Sequence, residues 1–513
     1  MSPAATTESS APTEIEVEHV DVLIVGAGVS GIGCAYHLQS AQPEKSYAIL
    51  EAREATGGTW DLFRYPGIRS DSDLHTFGYE FKPWRDEKAI ADGPAILRYV
   101  RETARENGIE EHIRLGHRVL AARWSGERAR WTVQARRADT GESVLLSCGW
   151  LFCASGYYRY DEGYTPRFAG QERFQGQIVH PQHWPADLDY AGKRVVVIGS
   201  GATAVTIVPA MSEEAEHVTM LQRSPSYIIS LPERDPIANA LGRVLPARTA
   251  YALTRRKNIW MQKTIYRLSR TRPRLMRRVL RAGVKRALPE GYPVDVHFKP
   301  SYDPWDQRMC VVPDGDLFKA ISRGRASVAT DQIETFTEHG IRLSGGQELA
   351  ADVIVTATGL NLLALGGIAL SVDGSEVELP RTLAYRGVML SDVPNFAFAV
   401  GYTNSSWTLK VDLVCEYFAR LLAHMDEHGY ASCTPHNDDP TVATSPLLDL
   451  SSGYVQRAVL DFPRQGSRMP WAVAMSYAHD VESLRNRPIE DAALRFCRRV
   501  PAAGRAGAAA VAA

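Results

Sequence analysis

Two glycine strings carry the most specific chemistry in the chain. The first is Asp21-Val-Leu-Ile-Val-Gly26-Ala-Gly28-Val-Ser30-Gly31, and the second is Arg194-Val-Val-Val-Ile-Gly199-Ser200-Gly201-Ala202-Thr203-Ala204-Val205. Each follows a short apolar run and opens a helical stretch. That context turns a weak GxGxxG match into a dinucleotide-binding turn, with the helix N-terminus facing a pyrophosphate. In the first string Gly26 permits the tight turn, Gly28 lets backbone approach the phosphates, and Gly31 lets helix pack on strand. Glu51 stands twenty residues beyond Gly31, at the end of Tyr47-Ala-Ile-Leu50, where a carboxylate accepts ribose hydroxyls. The second string lacks that acid. Its following strand ends Leu221-Gln222-Arg223-Ser224, and a cation beside a hydroxyl suits a 2′-phosphate. The second site is therefore expected to take NADP(H). A chain with two such sites is built to pass electrons between two cofactors.

Other residues could act where those electrons go. In Gly57-Gly58-Thr59-Trp60 the glycines permit close backbone approach and Trp60 offers a face for a planar ring. Arg69, Ser70 and Asp71 follow, with Asp71 a candidate supporting carboxylate and Asp73 a turn acid with no assigned role. Arg308 lies in the Pro/Trp-rich loop Asp303-Pro-Trp-Asp-Gln307-Arg308. A guanidinium there either stabilises a developing oxyanion or is one of the chain's many structural arginines. Cys148 and Cys153 flank Gly149-Trp-Leu-Phe152. They come far too late to be the redox pair of a disulfide reductase, and alternation along a strand puts them on opposite faces as small core residues. No metal-ligand pattern is read.

The elements that position these residues follow from length and pattern. The 513 residues exceed one core, so two or three domains are expected, in an α/β fold of two Rossmann-like dinucleotide-binding domains with a helical insertion. The expected parts are a first domain at 18–155 and 351–500, and a second at 156–235 and 296–350. A helical subdomain covers 236–295, and tails run over 1–17 and 501–513. Asp352-Val-Ile-Val-Thr-Ala-Thr-Gly359 reads as a strand and turn where the chain returns to the first domain. Between 243 and 286 stand fifteen Lys/Arg and no Asp/Glu. Leu241, Val244, Leu245, Tyr251, Leu253, Ile259, Trp260, Ile265, Tyr266, Leu268 and Leu275 are expected to form its apolar face. Its favoured role is a subdomain packed over the active site that shapes substrate access, with peripheral membrane contact as the alternative. The net charge of −1 gives no global field for nucleic acid. No apolar run reaches the roughly 18 residues of a spanning helix. Seven scattered cysteines and the absence of a leader pattern suggest a reducing, cytoplasmic setting.

The string Phe174-x-Gly176-x-x-x-His180-x-x-x-Trp184-Pro185, placed between the two glycine strings, resembles the fingerprint of class B flavin monooxygenases in its Baeyer–Villiger form. The segments 64–73, 160–164, 302–308 and 401–408 are similar to the ethionamide-activating subgroup of that family. The resemblance implies FAD at the first site, held by Ser30, Glu51, Gly58, Thr59, Trp60, Asp71 and Val119. It implies NADPH at the second, with Gly199–Val205 at the pyrophosphate, Arg223 and Ser224 at the 2′-phosphate, and Arg69, Ser70 and Asp71 toward the nicotinamide. Arg308 would be the active-site arginine, held by Asp71. Phe174, Gly176, His180 and Trp184 would lie at the domain junction, coupling cofactor state to domain position or simply packing it. Gln307 stands where many family members have a lysine, so Arg223 and Ser224 carry more of the NADP recognition, with Lys299 as a candidate substitute. The segment after Gly401 is expected to open a helix toward the flavin ring. The implied activity is NADPH- and O₂-dependent conversion of ketones to esters or lactones through a C4a-peroxyflavin, with sulfoxidation as a side activity. Heteroatom oxygenation as the main reaction, and an NADPH–flavin reductase serving a protein partner, are the competing readings.

Overall fold

The computed structural model describes residues 17–448 and 450–498. Of the expected tails, residues 1–16 and 501–513 lie outside the described residues. Two sheets organise the rest, in the α/β arrangement expected from the glycine strings. In the first, Glu18–Val25 lies between Tyr47–Leu50 and Ser143–Cys153, parallel to both. Val22, Leu23 and Ile24 are fully buried. A strand covered on both faces needs a continuous apolar run rather than alternation. Ser143–Cys153 forks. Its first half pairs antiparallel with Arg130–Arg137, and its end pairs parallel with Phe396–Phe398. The late part of the chain thus rejoins the first sheet, and the long helix Trp407–His428 packs along Val29–Ala41.

The second sheet is wholly parallel, in the order Ala326–Thr330, His217–Gln222, Arg194–Ile198, Val353–Thr356, Gln177–Val179. This corrects one expected boundary. Val353–Thr356 belongs to the second sheet, because it is hydrogen-bonded on both edges there, and the chain leaves that sheet only at Ala357–Gly359. Both crossings between the sheets run side by side. Tyr158–Gly163, on the way out, pairs antiparallel with Leu360–Leu362, on the way back.

The thiols need a second correction. Cys148 and Cys153 sit in the same apolar cluster, with Val20 and Leu23 of the neighbouring strand. Alternation slips between Val20 and Val22, where Gly149 lies against the Asp21 carbonyl. All seven cysteines are free, and all but Cys497 are buried.

Between the sheets' contributions stand the helices Pro236–Val244, Ala247–Thr271 and Pro273–Ala287. Their expected apolar face is not the buried one. Of those eleven residues only Tyr251 is buried, while Val244, Leu253, Trp260, Leu268 and Leu275 are exposed. The buried side of the long helix is mostly polar: Thr254, Arg255, Asn258 and Ser269, with Ala250 and Tyr251. The reason is the surface it covers, which is a set of helix-end carbonyls and carboxylates. Arg255, 6% exposed, donates to the carbonyls of His75, Thr76 and Gly78 at 3.1, 3.0 and 2.7 Å, and lies 3.4 Å from Asp412. Removing it takes the buried guanidinium from beside the Asp412 carboxylate and a donor from three carbonyls. Arg255→Met is expected to lower stability by about 3–5 kcal/mol, read as a drop in the denaturant midpoint of the holoprotein.

Candidate active site

A cavity of about 330 Å³ opens where the two sheets meet. The first unit lines it with Gly26, Gly28, Ser30, Glu51, Gly58, Thr59, Trp60, Arg69, Ser70, Asp71 and Val119; Ala202, Thr203 and Arg308 close it from the second. Gly31 lies beneath it. A Cβ at Gly31 would come 1.9 Å from the Gly26 carbonyl oxygen, so this glycine is required by helix–strand packing, and Gly26 itself turns at φ +104°.

Glu51 is 5% exposed and accepts the backbone N–H groups of Ala27 at 2.8 Å and Arg53 at 2.9 Å. Burial raises its pKa, and the two amides oppose the rise. A carboxylate has about four lone-pair sites, so acceptor capacity remains for hydroxyl groups. The Thr59 hydroxyl lies 3.1 Å from that of Tyr160, and Trp60 meets Phe77 edge-on. Trp407, the first residue of its helix, donates its indole N–H to Ser30 Oγ at 2.9 Å. That helix N-terminus therefore stands at the cavity wall.

Arg308 and Asp71 come from different units and meet there, Arg308 Nε lying 3.1 Å from Asp71 Oδ2. Their partial exposure is to the cavity, with dense chain behind. The Asp71 carboxylate raises the Arg308 pKa against the effect of burial, so the guanidinium is permanently charged. Tyr157, Tyr158 and Tyr454 surround it, the last two with pKa pushed up by burial.

The helical insertion grips both loops that carry this pair. Arg270 pairs with Asp306 at 2.6 Å, Arg277 pairs with Asp303, and Tyr266 meets Trp305 edge-on. On the other side Asn258 and Gln262 donate to Asp73 at 2.8 and 2.6 Å. Asp73 therefore anchors the insertion, and it also caps the helix Leu74–Phe77 through the Thr76 N–H. No residue of 236–295 lines the cavity. The insertion acts through the loops rather than as a wall of the pocket.

Several expected residues sit differently. Arg69 turns its guanidinium to Asp316, and Ser70 Oγ donates to the Ser72 carbonyl at 2.6 Å, so both polar ends are engaged. Ala204 and Val205 are fully buried, and the Val205 N–H is bonded to the Gly201 carbonyl at 3.1 Å. That amide is not available to a pyrophosphate, which leaves Gly199, Ser200, Gly201, Ala202 and Thr203 at the turn. Ser200 Oγ is held by the Ser224 carbonyl at 3.0 Å and Ser226 Oγ at 2.9 Å. Arg223 and Ser224 are exposed just beyond the strand His217–Gln222. Gln222 Nε2 donates to the His297 carbonyl at 2.7 Å, which ties the segment carrying Lys299 to that strand end.

The string between the two glycine turns stands at the crossing. His180 Nε2 lies 3.2 Å from the Gly359 carbonyl, and its Nδ1 accepts the Gln182 N–H at 3.2 Å. These contacts fix the neutral tautomer with the proton on Nε2. A Cβ at Gly163 would meet the His180 ring at 1.9 Å, so one imidazole touches Gly163 of one strand and Gly359, the residue before the other. Gly176 has no room for a side chain, because a Cβ would approach the Asp352 carbonyl oxygen at 2.3 Å. Phe174 packs on Phe336, and Trp184 packs against the core of the second sheet. Trp407, Tyr157, Tyr158, Tyr160 and Tyr454 were not assigned roles from sequence. Trp407 falls in one of the segments that resemble the family, whereas no local signal marks Tyr454.

The family described as flavin-binding monooxygenase-like matches residues 86–363, and the NAD(P)-binding Rossmann-like domain matches residues 24–86. The chain belongs to the flavin-binding monooxygenase-like family. It is 54% identical over 483 residues to the FAD-containing monooxygenase EthA of Mycobacterium tuberculosis, covering 94% of this chain and 98% of that protein. EthA of Mycolicibacterium smegmatis is 52% identical over 482 residues, with the same coverage of 94% and 98%. Among solved structures, an oxidized steroid monooxygenase bound to NADP superposes with TM-score 0.74 at 22% identity, covering 94% of this chain and all of that one. An open cyclohexanone monooxygenase gives 0.69 at 20% identity, covering 82% and 91%. Both share the fold.

Burial lowers the His180 pKa below its ordinary 6.5. A depressed folded-state pKa contributes stability that is present above the unfolded value and is lost as pH falls through the folded one. The difference in unfolding free energy between wild type and His180→Gln is therefore expected to shrink as pH falls from about 7 to 5, measured by denaturant titration at each pH.

Proposed function

We propose that this chain is an NADPH- and O₂-dependent Baeyer–Villiger monooxygenase that converts ketones to esters or lactones and also oxygenates thioethers. The first sheet unit, 18–155 with the return from 358 onward, holds FAD. The second, through 356, holds NADP, and 236–295 is the helical subdomain. The observation that carries the reading is the Arg308–Asp71 pair at the mouth between two dinucleotide turns. The relatives' description as FAD-containing monooxygenases supports it. The setting is the cytoplasm, which suits seven unpaired cysteines. Among the described residues no helix is long and apolar enough to cross a membrane.

The residues fit both cofactors. Gly26, Gly28 and Gly58 leave a cradle that side chains would fill, since a Cβ at Gly58 would meet the Gly28 Cα at 3.2 Å. Glu51 offers its remaining lone pairs to the ribose of FAD, and Ser30 and Val119 border the same cavity. Gly199 to Thr203 present a turn to the NADP pyrophosphate, with Arg223 and Ser224 free for the 2′-phosphate. Bound flavin supplies hydride acceptance from NADPH and the activation of O₂. The protein's part is charge and position. Arg308 holds its fork toward the oxygen that becomes anionic when a ketone carbonyl is attacked, and it needs no proton transfer to do so. Asp71 fixes the guanidinium and keeps it charged. The N-terminus at Trp407 points the positive end of a helix dipole toward the cavity wall, where it would favour negative charge on a bound flavin.

Arg308→Ala is expected to keep bound FAD and to lose ester formation by about 10²–10³-fold. Product analysis on a mixed ketone and thioether panel reads this. Undiminished ester yield would remove Arg308 from the chemistry, and sulfoxide alone from wild type would favour a heteroatom oxygenase. Arg223→Ala is expected to raise the Michaelis constant for NADPH much more than that for NADH, in steady-state oxidation assays with each. Equal changes would place the 2′-phosphate elsewhere.

A further inference from the structure

The exposed apolar side chains of this protein are concentrated on its helical insertion. Eight of the twelve large apolar residues exposed among the described residues fall between 237 and 279. Trp260 is 67% exposed, Val244 76%, and Leu275 and Val279 53% each. The burial pattern of Ala247–Thr271 is inverted for a helix of a water-facing surface. Its inward side holds Thr254, Arg255, Asn258 and Ser269 beside Ala250 and Tyr251, while Leu253, Trp260, Met261 and Leu268 face outward. A helix normally buries its apolar stripe. Here the polar side packs on protein through Arg255 and the Asn258 amide, and most of the apolar side is left facing out.

Charge points to what covers it. Of the fifteen basic residues between 243 and 286, five are spent on ion pairs: Arg255, Lys257, Arg270, Arg277 and Arg281. The other ten, including Arg256, Lys263, Arg267, Arg274 and Arg278, make no ion pair among the described residues, and these five are exposed. Arg256, Trp260, Lys263 and Arg267 follow one another at three- and four-residue steps, and Arg274, Leu275, Arg278 and Val279 interleave in the same way on the next helix. Arginine and lysine beside outward tryptophan and leucine match the boundary of an anionic bilayer, where the ring and aliphatic groups enter below the phosphates and the cations meet them. A nucleic acid would use the cations and leave the apolar groups in water. A second copy would bring a face with the same positive charge.

We infer that the successive helices Ala247–Thr271 and Pro273–Ala287 form an interfacial docking surface for an anionic phospholipid membrane. It uses no residue of the cavity, so it is independent of which substrate the enzyme oxygenates. The test is flotation of the FAD-loaded protein with vesicles of phosphatidylglycerol and phosphatidylcholine in equal parts, against phosphatidylcholine alone, at about 0.1 M salt. Wild type is expected to float with the anionic vesicles only. Trp260→Ser combined with Leu275→Ser is expected to weaken binding at least about tenfold. Arg256→Gln, Lys263→Gln and Arg267→Gln together are expected to weaken it similarly. Bound FAD and NADPH oxidation in solution should stay unchanged in both variants, which separates loss of docking from loss of fold. Failure of wild type to float overturns the inference. So does flotation unaffected by the apolar pair, retention of a DNA duplex in place of vesicles, or a concentration-dependent dimer abolished by the same substitutions.

Discussion

The salt bridge between Arg308 and Asp71 is the constraint on which the architecture turns. Neither residue is close to the other in sequence, and each stands on a loop of a different sheet unit. A guanidinium facing a cavity needs a counter-charge, and a loop alone does not hold one at hydrogen-bonding distance. The chain solves this by packing a third element against both loops. Arg270 and Arg277 hold the acids that precede Arg308, and Asn258 and Gln262 hold the acid that follows Asp71. The pair is positioned by three separate parts of the chain, so its geometry reports the relative placement of all of them.

The same demand explains the inverted helix. The protein surface beneath Ala247–Thr271 is made of carbonyls and carboxylates from the Asp73–Gly78 turn and from Asp412. A helix that satisfies them must turn Arg255 and Asn258 inward. Polar partners on one side leave the apolar positions on the other, a local inversion of the usual stripe. A positioning role toward the loops thus creates an exposed apolar surface, and the uncompensated cations beside it give that surface a sign.

Much of this was legible in the residues. Gly26 and Gly31 announce their turn because backbone packed against backbone leaves no room for a Cβ, a rule that acts over a few residues, and Glu51 marks the end of the adjoining strand. The exposed position of Arg223 follows from the end of a short strand, which fixes where its successor stands. The return of the chain was harder. The run at Val353 reads as a strand, but its sheet depends on which neighbours offer free edges, and those neighbours are Gln177–Val179 and Arg194–Ile198. From the far end of the chain Trp407 reaches the cavity and Tyr454 comes near Arg308, and a single aromatic residue carries no periodic signal of its destination.

By itself the sequence determined the two nucleotide turns, the difference in charge between them, and the order of the parts. These rest on local backbone sterics and on spacing within single strand–helix units. Only the tertiary structure decided that Asp71 faces Arg308, that His180 contacts Gly163 and Gly359 at the crossing, and that Arg69 is engaged by Asp316. It also decided which side of the long helix is inside. The physical reason is common to all four. Burial and pairing depend on the surface presented by a distant segment, and hydrophobic periodicity describes a helix without naming the surface that it will meet.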